Sequence, residues 1–111
     1  YAPYSRFRVG CAVRTRSGDV VEGANVENAA YPLGICAERA ALARALAEGH
    51  RPGDFVAVAI TAPPCGGCRQ WLLELRVGRV LFRDGDRVLE MTPDELLPES
   101  FGATRLDATW G

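Results

Sequence analysis

Cys36, Cys65 and Cys68 are the residues of this chain best suited to chemistry, and Glu38 stands two positions after the first of them. Cys65 and Cys68 form a Pro-Cys-x-x-Cys arrangement within PPCGGCRQ. Two thiols so spaced at a helix start share one face, and the free backbone N–H groups there favour thiolates. Taken alone, such a pair is a redox couple, half of a structural zinc site, or two unrelated core thiols. Cys36, also at a predicted helix start, supplies a third sulfur. If the two helices lie side by side on a sheet, their N-termini converge and the three sulfurs meet. Three protein ligands leave the fourth tetrahedral position of zinc open, which is the catalytic rather than the structural pattern. An open position can hold water and lower its pKa towards neutrality, giving hydroxide as a nucleophile. Glu38 can then take the water's proton without binding the ion. Its bland alternative is a first-turn carboxylate that only complements the helix dipole. Arg39 can hydrogen-bond the sulfurs and withdraw their excess negative charge, or can simply face solvent.

The elements that must position these groups follow from patterning. FRVGCAVRT (Phe7 to Thr15) reads as a strand, Ser17 to Asp19 as a turn, and VVEGA as the second arm of a hairpin. Asn25 to Ile35, with Pro32 and Gly34, reads as loop. Cys36 to Glu48 is helical, with Leu42 and Leu46 one turn apart and Gly49 as the stop. FVAVAI (Phe55 to Ile60) is a continuous apolar strand of the kind buried on both faces. A second helix runs from near Cys65 to Gly78. RVLFRDGDRVLEM forms two strands around an Asp84-Gly85 turn. TPDE (Thr92 to Glu95) is a capping box with proline at the first helical position, so a short helix follows. The order β-β-α-β-α-β-β-α predicts one α/β domain over residues 1–111, a mixed sheet with helices packed on it.

Bulk properties exclude several classes. At 111 residues and 48% hydrophobic content the chain holds a modest globular core, which a metal or oligomerisation would help to stabilise. A formal net charge of −1 argues against binding nucleic acid through a basic face, although all 13 basic residues are arginine. No apolar run approaches a membrane span and no secretory signal is visible, so the expected compartment is the cytoplasm. Four cysteines in an intracellular chain more often bind metal or react than form disulfides. Cys11 reads as a core thiol. His50, the only histidine, reads as a surface loop residue rather than a ligand.

YAPYSRFRVG, NVENAAYPLGICAERAAL, PCGGCRQ and TPDELLPESFG occur in this order across nearly the whole chain. In these stretches the sequence resembles the zinc-dependent cytidine deaminases of the short, homotetrameric type. The resemblance implies a three-layer α/β/α sandwich with a mixed five-stranded sheet, whose first helix would precede Tyr1. It implies one zinc per subunit on Cys36, Cys65 and Cys68, with Glu38 as proton shuttle. The implied reaction is hydrolytic deamination of cytidine and 2'-deoxycytidine to the uridines plus ammonia, a step of pyrimidine salvage, by hydroxide attack at C4. Asn25 and Glu27 correspond to ribose-hydroxyl ligands, which suits an amide and a carboxylate; the alternative for Asn25 is a loop residue that ties its own backbone. Phe7 matches an aromatic packed on the pyrimidine, Ala37 a substrate contact, and Phe101 a residue reaching into a neighbouring subunit's site. Two departures are Pro63, where Ser is frequent, and a short Phe55–Cys65 segment.

Three rivals remain open at this stage. A deaminase acting on a cytosine-containing antibiotic of the blasticidin type shares the zinc motif, although SRF and LPESF favour the nucleoside enzyme. A structural zinc module would need Cys11 or His50 as fourth ligand. A thiol–disulfide oxidoreductase would leave Cys36 and Glu38 without roles. Editing of polynucleotides is not expected, because the chain lacks the charge of a strand-binding groove.

Overall fold

In a computed structural model, described for residues 1–106, the chain forms a five-stranded mixed sheet of order β2-β1-β3-β4-β5. Side chains alternate along β1 (Gly10–Thr15), where Cys11, Val13 and Thr15 are buried and Arg14 is exposed. β2 (Val20–Ala24) returns antiparallel, pairing Val21 with Val13 and Gly23 with Cys11. β3 (Phe55–Ile60) pairs antiparallel with β1 on the other side, with Val58 opposite Val13. β4 (Arg79–Asp84) runs parallel to β3, and β5 (Arg87–Met91) folds back antiparallel on β4. The β3–β4 pair needs a crossover, which α2 (Gly66–Glu74) supplies. The fold class is therefore the expected one.

α1 (Ala37–Ala47) lies across β1, β2 and β3. Ala37, Ala41 and Ala45 recur at helical spacing and are fully buried, so α1 meets the sheet with its smallest side chains. Gly23 permits the closest approach: a Cβ there would lie 2.5 Å from the Ala41 nitrogen and 2.8 Å from the Ala37 oxygen. Gly23→Ala is accordingly expected to push α1 off β2 and to cost about 1–3 kcal/mol. A thermal melt checks this; an unchanged Tm would mean that the helix yields freely.

Cys68 and Leu72 of α2 are fully buried, and Leu72 shares one apolar cluster with Val13, Leu42, Val58 and Val80. α1 and α2 thus cover the same face of the sheet and touch each other. The expectation that β3 is buried on both faces does not hold in the described residues, since Ala59 is exposed. Its side of the sheet carries Ala12, Ala57 and Leu81, whose burial is only partial.

Several boundaries differ from the sequence reading. Phe7 to Val9 lie outside β1, because the Asn25 side chain takes the backbone groups that a ladder would use. α2 stops at Glu74 rather than Gly78, and the chain turns at Arg76, which has a φ of 55°. Gly78 serves another purpose: a Cβ there would lie 2.6 Å from the Val56 oxygen. The last hairpin turns on Gly85-Asp86, where Gly85 takes a φ of 65°. The short helix α3 (Pro93–Leu96) carries the expected capping box between Thr92 and Glu95. Among the described residues, no helix is long and apolar enough to cross a membrane.

Candidate metal centre and nucleoside cavity

Cys36 and Cys65 are the N-cap residues of α1 and α2, and Cys68 lies in the first turn of α2. The contact between the two helices brings these starts together. The three sulfurs lie within 4.8 Å of one another, and among the described residues no histidine or carboxylate belongs to the group. Around a tetrahedral zinc with Zn–S near 2.3 Å, sulfurs sit about 3.8 Å apart. Cys36 Sγ and Cys65 Sγ are separated by 3.7 Å, and all four cysteines are free. The donor set therefore fits one zinc ion with a vacant position.

The surroundings stabilise charge on the sulfurs unequally. Burial pushes the Cys68 thiol up, and the Glu38 carboxylate adds to the shift. Burial opposes ionisation at Cys65 too, but hydrogen bonds from Cys68, first among them its backbone N–H, outweigh it and hold that thiol below its usual value. Arg39 Nη2 donates to Cys36 Sγ at 3.4 Å. Its Nε is buried without a hydrogen-bond partner. Cys11 is 4% exposed and pushed up to about 12, by burial first and Glu38 second, which suits an inert core thiol.

A cavity of about 640 Å³ opens over the sulfurs. Phe7, Asn25, Glu27, Ala37, Glu38 and Arg39 line it, together with Cys36 and Cys65. Glu38 is 3% exposed, although acids are rarely buried without a reason. Asn25 Oδ1 accepts from Val9 N at 2.9 Å and Nδ2 donates to Phe7 O at 2.9 Å. It does tie backbone, yet it keeps one N–H and one lone pair for a ligand. Glu27 Oε1 accepts from Tyr4 N at 2.9 Å and Ser5 N at 3.1 Å, while Oε2 accepts from Ser5 Oγ. These bonds, that from the Ser5 side chain foremost, hold the Glu27 carboxyl below the usual range.

Phe101 lies outside this cavity, 63% exposed, its carbonyl held by Gln70 Nε2 at 2.8 Å. His50 lies in the loop after α1 and outside the sulfur group, as read, but its side chain is only 16% exposed, 3.5 Å from Asp19 and packed on Phe55. Tyr4, Ser5, Tyr31 and Pro63 also line the cavity and were missed. The only signal for Ser5 was its place in the run before Phe7.

Residues 1–83 match the family model of the cytidine and deoxycytidylate deaminase zinc-binding region. A cytidine deaminase of Halalkalibacterium halodurans is 46% identical, covering 93% of this chain and 83% of the relative. The crystal structure of a cytidine deaminase from Burkholderia pseudomallei superposes with a TM-score of 0.84 at 47% identity, covering 91% of this chain and 87% of that one. One from Mycobacterium tuberculosis gives 0.77 at 40% identity, covering 92% and 85%.

Proposed function

The chain belongs to the cytidine and deoxycytidylate deaminase family, and we propose that it deaminates cytidine and 2'-deoxycytidine with Cys36, Cys65 and Cys68 as zinc ligands and Glu38 as the proton carrier. The observation that carries this reading is the convergence of three sulfurs, with no fourth ligand among the described residues, beside a buried carboxylate that lines the same cavity as Cys36 and Cys65. Cys36, Cys65 and Cys68 would hold the zinc, which would supply a water acidic enough to ionise near neutral pH.

The chain's own residues do the rest. Glu38 accepts a proton from the attacking water and delivers it to N3 of the cytosine ring, which draws electrons from C4. It then passes the water's second proton to the departing amino group, so cytidine and water become uridine and ammonia. Arg39 holds back the negative charge of the thiolates. Phe7 offers its ring to the pyrimidine, and Ala37, fully buried at the start of α1, closes the floor beneath the base. The free N–H of Asn25 and the free lone pair of Glu27 suit a single sugar hydroxyl, which both donates and accepts.

The exposure of Phe101, away from its own cavity, fits a homotetramer in which it completes a neighbour's site. Thiols that must stay reduced to hold metal suit the cytoplasm. A zinc-loaded preparation is expected to release uridine and ammonia in equal amounts from cytidine. Turnover of a blasticidin-type antibiotic with none of cytidine would transfer the assignment to that substrate.

A further inference from the structure

Ser5 is held in an unusual position. Its hydroxyl accepts from Phe7 N at 3.0 Å and donates to Glu27 Oε2. The direction is fixed, since an ionised carboxylate cannot donate and a hydroxyl has a single proton. Arg6, between Ser5 and Phe7, takes a φ of 59°, a conformation that costs a non-glycine residue free energy and persists where surrounding contacts impose it. The sharp turn lets Ser5 bond on both sides at once: forward to Phe7 and sideways to Glu27 in the later loop.

A carboxylate offers about four acceptor positions. Three on Glu27 are filled by Tyr4 N, Ser5 N and Ser5 Oγ, so one remains, on Oε2. Without the Ser5 hydroxyl, Oε2 would have two free positions, the carboxylate could rotate, and Phe7 N would lose its partner.

We propose that Ser5 is a positioning residue for nucleoside binding: its hydroxyl ties the backbone of Phe7 and the last free lone pair of Glu27 into one geometry, fitted to a pyrimidine carrying a single anchoring sugar hydroxyl. This rests on the nucleoside reading above. The Ser5 hydroxyl bonds Glu27 and Phe7 N, and neither is Glu38 or a member of the sulfur group. Its loss therefore weakens binding and spares the chemical step.

The test is steady-state kinetics on cytidine with Ser5→Ala and Ser5→Thr, together with calorimetric binding of uridine. Ser5→Ala is expected to raise KM and the uridine dissociation constant roughly tenfold, the scale of one charge-assisted hydrogen bond. Its kcat should stay within about twofold, and Ser5→Thr should recover most of the loss. In a Glu27→Gln background, Ser5→Ala should add less than about twofold, because the two act as one unit. An unchanged KM and uridine affinity, a fall in kcat matching that in kcat/KM, no rescue by Thr, or fully additive effects would each overturn the proposal. Wild-type protein that neither binds uridine nor converts cytidine would instead overturn the nucleoside reading, and the role of Ser5 with it.

Discussion

Glu38→Gln is expected to keep its zinc and to lose turnover by roughly 10²–10⁴-fold, the range for a positioned acid–base group. Glu38 is buried in the first turn of α1 and faces the cavity beside the sulfurs. Glutamine has the same length and volume, so the packing around it survives. What disappears, on the proposed mechanism, is the ability to accept a proton from water and release it at N3. Metal content should not change, because the carboxylate does not belong to the ligand group. Ammonia release and zinc analysis on the same sample check both halves. Full activity would remove Glu38 from the mechanism, and loss of zinc would make it a ligand.

Cys65→Ala should abolish zinc binding and activity together. Two thiolates remain, and neither His50 nor Cys11 is placed to replace the third: His50 is engaged with Asp19, and Cys11 is a buried thiol of β1 outside the sulfur group. Burial disfavours the ionised form of Cys68 when no cation offsets it, so a site short of one thiolate has little to draw metal in. Cys11→Ala is the matched control and should retain zinc, since it removes only a core sulfur. Zinc retained at one per chain in Cys65→Ala would point to a different ligand set.

The metal centre was legible in the sequence because its residues obey local rules. Cys36 and Cys65 sit where helices begin, and the strand between them requires a crossover that places those starts side by side. The capping box at Thr92 and the alternation of β1 are equally local. Less legible was whatever depended on side chains meeting backbone across the fold. Asn25 pulls Phe7 to Val9 out of the β1 ladder, and no periodicity announces an amide acting in place of a strand. Gly78 reads as a helix stop but is there for the closeness of β3. The partial burial of His50 was hidden because its contacts, Asp19 and Phe55, come from other parts of the chain. The same holds for Ser5, whose hydroxyl bonds Glu27, a residue distant in the chain.

X-ray absorption at the zinc edge tests the central claim most directly. Three sulfurs at about 2.3 Å and one lighter atom at about 2.0 Å are predicted for the loaded protein. Four sulfurs, or three sulfurs and an imidazole from His50, would show a closed ion with no place for water, and would contradict the account.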